Sequence, residues 1–188
     1  MKIICISGVA RSGKDTTAGL IQKRLHGNGK RVLVTHYADL LKFMCTQLFG
    51  WDGNKDERGR NILQYVGTDV IRKQLPDFWV DFIIQELRLF PDQWDYVIIP
   101  DCRFPNELNR LKEEGFDVTH VRIERSSHEN NLTEEQRNHP SETALNDVVP
   151  DYVIQNDGTI TMLAAEVMRL MKTNVTEEIR GGNHGIRN

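Results

Sequence analysis

The chain has 188 residues, 39% hydrophobic and 27% charged, with a net charge of -3. That length suits one compact α/β domain with a sizeable core. Nothing in the charge balance points to a nucleic acid or an anionic membrane as partner, and no apolar run approaches membrane-spanning length. Cys5, Cys45 and Cys102 are far apart and lack metal-ligand spacing, which favours a reduced, cytoplasmic chain. The first residues enter a strand at once, leaving no room for a signal peptide.

Residues 2–7 (KIICIS) form a short apolar run that reads as a buried strand. After it come Gly8, Val9, Ala10, Arg11, Ser12, Gly13, Lys14, Asp15, Thr16 and Thr17, and then a helical pattern with Ala18, Ile21 and Leu25 on one face. Strand, glycine-rich turn and helix together are the setting of a phosphate-binding loop. Gly8 and Gly13 can adopt backbone angles that let successive N–H groups point inward at an anion. The helix start adds its own N–H groups and positive dipole end, and Lys14 can reach the β- and γ-phosphates of a nucleotide. The simplest Walker pattern places a Ser or Thr directly after the lysine, on Mg²⁺. Here Asp15 intervenes and Thr16 follows, a spacing that resembles the small-molecule kinases more than the GTPases.

Farther along, 31–36 is expected as a strand and 38–49 as a helix with Leu41, Cys45, Leu48 and Phe49 on one side. A polar loop spans 51–56. Helices are expected over 59–74 and 76–90, the latter with Pro76 in its first turn and Phe78, Phe82 and Leu89 as a core stripe. A strand at 96–99, a helix at 106–114 stopped by Gly115, and a strand at 118–123 come next. The segment 124–147 is strongly polar, a loop or short helical excursion. A strand at 152–154 and a helix at 159–171 close the domain, and 173–188 is expected as a disordered tail. Strands alternating with helices imply a mostly parallel sheet of roughly five strands covered on both faces, with ligands beyond the carboxyl ends of the strands.

Asp101 follows the apolar strand 96–99 in the place of a Walker-B acid, able to hold Mg²⁺ or its water shell, and Arg103 can contact a phosphate. The segment 124–147 suits a mobile cover, with Arg125 the best candidate for its cation and Arg122 and Arg137 nearby. Gly67 interrupts a helical pattern beside Asp69, which marks a close packing or a ligand contact. Trp79 could stack on a base, although core is the commoner fate of such an aromatic. Arg58, Arg60 and Arg72 are candidates for an acceptor phosphate. Asn156 and Gly158, after the last strand, could lie near adenine or simply cap the final helix. The six histidines show no ligand spacing, so no structural metal is expected.

These motifs, in order from Met1 to about Met171, resemble the phage-type deoxynucleoside monophosphate kinases within the nucleoside monophosphate kinase group. The resemblance rests on the loop through Thr17, on Gly67-Thr68-Asp69, Phe78-Trp79-Val80, Ile99-Pro100-Asp101-Cys102-Arg103, and Val153-Ile154-Gln155-Asn156-Asp157-Gly158. It implies a three-layer P-loop kinase fold and transfer of phosphate from ATP, with Mg²⁺, to a deoxynucleoside monophosphate. By position it implies Lys14 on the donor phosphates, Asp101 and Arg103 flanking transfer, and Asn156 to Gly158 near the adenine; Arg11 and the rest of the loop are candidates for the nucleotide with it. Small-molecule nucleotides are the implied partners, without nucleic acid or membrane, and a homodimer is left open. The stretch between Trp51 and Gly59 is short where a larger insertion can occur in the phage enzymes. Animal-type phosphomevalonate kinases are also similar, carrying a related Ser-Gly-Lys-Asp loop. That leaves a kinase for another small phosphate, a non-catalytic ATP-binding module and an ATPase driving a partner as the rival readings.

Overall fold

The computed structural model describes residues 1–126 and 132–181, with side chains of the last helix as far as Lys172. Five parallel strands form one sheet in the order β2-β3-β1-β4-β5: β1 (Lys2–Ser7), β2 (Val32–Val34), β3 (Tyr96–Ile99), β4 (Asp117–Glu124) and β5 (Tyr152–Gln155). β1 lies at the centre, paired with β3 on one side and β4 on the other.

Alternation along β1 sends successive side chains to opposite faces. Ile4 and Ile6 pack with Ala18, Ile21 and Leu25 of α1 (Lys14–Gly27) and with Leu163, Val167 and Leu170 of α8 (Ile160–Gly181). Ile3 and Cys5 face the other way, toward Val80, Ile83, Ile84 and Leu87 of α4 (Phe78–Leu89) and Leu108 and Leu111 of α5 (Pro105–Glu113). The result is the expected three-layer α/β arrangement. A smaller cluster of Cys45, Trp51 and Val66 lies beneath α2 (Ala38–Phe49) and α3 (Glu57–Gln64). The three cysteines are free and buried. Among the described residues no helix is long and apolar enough to cross a membrane.

Several expectations need correction. In α4 the core stripe is Trp79, Val80, Ile83, Ile84 and Leu87, while Phe82 and Leu89 are exposed. Leu48 and Phe49 of α2 are exposed as well, because only a narrow strip of that helix meets the domain. The helix expected over 59–74 changes form midway: after α3 the chain continues as a π-helix, Tyr65–Arg72, which contains Gly67. A Cβ at Gly67 would come within 2.6 Å of Leu41, so close packing accounts for that glycine. The helix α8 runs on to Gly181, past its expected end at Met171. No glycine or proline lies between those residues to stop it. The remainder of the expected tail, 182–188, lies outside the described residues, as do 127–131 of the polar segment. The rest of that segment contains two short helices, α6 (Glu134–Asn138) and α7 (Pro140–Thr143).

Candidate active site

The turn from β1 into α1 takes a path that only glycine can follow at its two ends. Gly8 has φ +140° and Gly13 φ +103°, both in the region that L side chains rarely adopt, and Arg11 between them has φ +62°. Space forbids a side chain as firmly as φ does. A Cβ on Gly8 would lie 2.4 Å from the Ile123 carbonyl, and one on Gly13 would lie 2.4 Å from Asn156 Nδ2. Asn156 Nδ2 donates to the Ser12 carbonyl at 2.7 Å and so pins the loop to the end of β5. Ser12 is fully buried, yet its Oγ has no hydrogen-bond partner. A buried hydroxyl without a partner is rare, and here it sits inside the phosphate-binding turn. The Lys14 ammonium curls back to donate to the carbonyls of Gly8 and Val9, each at 2.8 Å. Burial lowers its pKa to about 8; Arg103 adds to the fall, while Glu142, Asp15 and Asp101 oppose it.

A cleft of about 630 Å³ opens beside Lys14. Its walls carry seven Lys or Arg side chains (Arg11, Lys14, Lys42, Lys55, Arg60, Arg72 and Arg103) against four acids (Asp15, Asp101, Glu107 and Glu142). It is therefore basic within an acidic chain, as a second anionic ligand requires. At its base, the Asp101 carboxylate accepts from the backbone N–H groups of Tyr37 and Ala38, each at 3.0 Å. That acid thus caps the start of α2 and joins β3 to it. Glu107, nearly buried, accepts from Arg72 Nη2 at 2.6 Å and from the N–H groups of Arg103 at 2.6 Å and Phe104 at 3.1 Å. Burial pushes its carboxyl pKa upward, and the Arg72 charge holds it down. Arg72 also lies 3.9 Å over the Phe104 ring.

The structure brings Arg11, Lys14, Asp15, Gly67, Arg72, Trp79, Asp101 and Arg103 together around this cleft, and Gly8, Ser12 and Gly13 into the adjoining turn. Other expected site residues stand apart. The Thr17 hydroxyl donates to the Gly13 carbonyl of its own helix at 3.0 Å and is buried there. Trp79 reaches the cleft wall but is a core residue, 4% exposed, whose Nε1 donates to the Gly67 carbonyl at 3.0 Å. Asp69 faces His139 at 3.6 Å and does not line the cleft. Arg125 and Arg137 do not line it either, and Arg122 is spent on the carbonyls of Leu145 and Val148. Asn156 holds the loop, and Gly158 makes room for Met162, whose sulfur would lie 2.6 Å from a Cβ there. Arg60 lines the cleft whereas Arg58 is exposed elsewhere.

Sequence reasoning missed Glu107, Glu142, Gln64 and Lys42. Glu107 alone left a trace, as an acid in the first turn of a helix behind Pro105. Mg²⁺ ordinarily keeps several waters and takes one or two protein oxygens plus substrate phosphates. The exposed Thr16 and Asp15 side chains and the spare lone pairs of Asp101 suit an ion held that way. No group of three or more His, Cys, Asp or Glu able to hold a metal occurs among the described residues.

Comparison with known proteins gives a consistent set of likenesses. The profile of the family described as deoxynucleotide monophosphate kinase matches residues 51–167. A protein of Acanthamoeba polyphaga mimivirus, provisionally named a deoxynucleotide monophosphate kinase, is 29% identical over 89% of this chain and 95% of its own length. The deoxynucleotide monophosphate kinase of Enterobacteria phage T4 is 31% identical over 60% of this chain, and that of Escherichia phage RB69 is 28% identical over the same share. The match takes in only 45% and 44% of those two phage proteins, so the chain spans less than half of their length. Among solved structures, a sugar kinase from Janibacter aligns over 92% of this chain at TM-score 0.53 and 12% identity. The Mycobacterium tuberculosis APS kinase bound to AMPPNP and APS aligns over 91% at TM-score 0.50 and 14% identity. At such identities the likeness is one of fold.

Proposed function

The chain belongs to the deoxynucleotide monophosphate kinase family, and on that premise we propose that it transfers the γ-phosphate of ATP to a deoxynucleoside monophosphate, giving the diphosphate and ADP. The observation that carries this reading is the placing of Lys14, which belongs both to the phosphate-binding turn and to the wall of the basic cleft. A nucleotide tail on one side of it and a second anion on the other would meet there. A cytoplasmic setting fits the three free, buried cysteines.

In this reading the loop N–H groups and Lys14 grip the donor's phosphates, and the Ser12 hydroxyl gains the partner it lacks. Arg103 and Lys14 neutralise charge on the group in transfer. The acceptor's phosphate oxygen is already anionic and attacks the γ-phosphorus as the bond to the β-phosphate oxygen breaks, so no strong general base is needed. Catalysis is then positioning and electrostatic stabilisation. Thr16, Asp15 and Asp101 would stand beside Mg²⁺, which when bound supplies further neutralisation of the phosphates. Arg72 is committed to Glu107, and Arg60 and Lys42, which line the same cleft, are further candidates for the acceptor.

The direct test is ADP release from ATP with each deoxy- and ribonucleoside monophosphate in turn. Acceptor-dependent release with at least one deoxynucleotide is expected; ATP binding without it would overturn the proposal. A second expectation comes from the Lys14 pKa of about 8. Above that pH the empty protein carries a neutral Lys14, and bound phosphates draw a proton back onto it. ATP binding should therefore take up protons near pH 9 and far fewer near pH 7. Calorimetry in buffers of different ionisation enthalpy measures this, and Lys14→Arg, which stays charged, should remove the uptake.

A further inference from the structure

The segment carrying α6 and α7 is fastened down across the cleft. Gln136 Nε2 donates to Asn61 Oδ1 of α3 at 2.7 Å, and Arg122 holds the backbone that follows α7. The contact that reaches the chemistry is made by α7 itself. Arg103 Nη1 donates to the Ser141 carbonyl at 2.8 Å and to the Glu142 carboxylate. Those two bonds use both protons of Nη1. The other edge of the guanidinium, Nε and Nη2, makes no hydrogen bond among the described residues. The Glu142 side chain is 9% exposed and that of Arg103 36%, so the partner that grips is the more deeply set of the two. A carboxylate beside a site for two polyanions costs binding through repulsion. Its position here is explained if it sets the direction of the arginine.

We propose that Glu142 is a positioning residue for phosphoryl transfer, gripping Arg103 by Nη1 so that its Nε–Nη2 edge is presented to the phosphates. The inference rests on the reading of this cleft as the site of transfer. A guanidinium presents its donors in a planar fork, so fixing one edge fixes where the other points. The same bond makes the aim of Arg103 depend on α7 being seated, which ties the cover over the cleft to the transfer step.

The test is a double-mutant cycle read as kcat and KM, with the active deoxynucleotide as acceptor. Glu142→Ala should lower kcat by about tenfold or more while the acceptor KM stays within about twofold, since misaim costs the transition state more than the ground state. Glu142→Gln keeps an oxygen for Nη1 and should stay within about threefold of wild type. In an Arg103→Ala background, Glu142→Ala should add nothing. The inference is overturned if Glu142→Ala leaves kcat unchanged, if its cost is undiminished in the Arg103→Ala background, or if Gln is as harmful as Ala. A lower acceptor KM in both Glu142 variants would overturn it too, marking the carboxylate as an anion that competes with substrate. If Glu142→Ala does not fold, Glu142→Ser, which removes the same carboxylate and is too short to reach Nη1, takes its place in the cycle. Wild-type protein that turns over no monophosphate would bring down the functional reading itself, an outcome distinct from all of these.

Discussion

Lys14→Ala should reduce kcat/KM by on the order of 10²–10³ or more, the range seen when a preorganised donor to a developing charge is removed. In the empty protein the ammonium is tied to the Gly8 and Val9 carbonyls and lies beside Arg103, Glu142, Asp15 and Asp101. On the proposed reading it is thus stored beside the phosphates to be bound. The fold should survive, because the turn is also held by Asn156 on the Ser12 carbonyl and by the steric demands at Gly8 and Gly13. Losing two hydrogen bonds to carbonyls that water can then reach should cost about 1 kcal/mol, or about 2–4 °C in Tm for a chain of this size. Steady-state kinetics with a thermal melt on the same preparation checks both halves. Retention of most activity, or a collapse in Tm, would show that Lys14 serves the fold and not the transfer.

The phosphate-binding turn was legible because each of its signals is local: an apolar strand, glycines at fixed spacing, a lysine and a helix start all fall within residues 2–25. The parallel sheet and its two covered faces were legible from strands alternating with helices, whereas the order β2-β3-β1-β4-β5 is set by long-range pairing and left no local signal. The misreadings came where burial is decided by distant partners. Phe82 and Leu89 have the right spacing for a core stripe, but α4 meets α5 and the sheet through Val80, Ile83, Ile84 and Leu87. Trp79 took the commoner fate of such an aromatic, packed into the core while reaching the cleft wall, and Asp69, a type that can bind substrate, turns to His139. Asp101 stood out as an acid past a strand. Its bonds to Tyr37 and Ala38, more than sixty positions away in the chain, have no trace in its neighbours. The same holds for Glu142 and Arg103, which only the folded chain brings together. Charge type and local context identify a loop; they do not identify which of many acids and arginines will be paired.

Glu107 offers the sharpest case of a residue whose removal should be felt by fold and site together. It is 2% exposed, and its carboxylate gathers the Arg72 guanidinium and the N–H groups of Arg103 and Phe104 at the turn from β3 to α5. Glu107→Ala would strand a nearly buried Arg72 and two backbone donors, a loss of about 3–5 kcal/mol for breaking a buried pair from one side. For a chain of this size that corresponds to roughly 6–20 °C in Tm. Removing both charges together should cost less, because the penalty comes largely from the charge left behind: Glu107→Leu with Arg72→Met should melt above Glu107→Ala alone. Activity should not follow stability in that double variant. The Arg103 backbone would still lack the acceptor that holds the turn, so kcat should remain depressed after the melting temperature has partly recovered. Melts and kinetics on the wild type, the single variants and the pair separate the two effects. A double variant no more stable than Glu107→Ala would mean that the bonds to the backbone, and not the ion pair, hold this corner together.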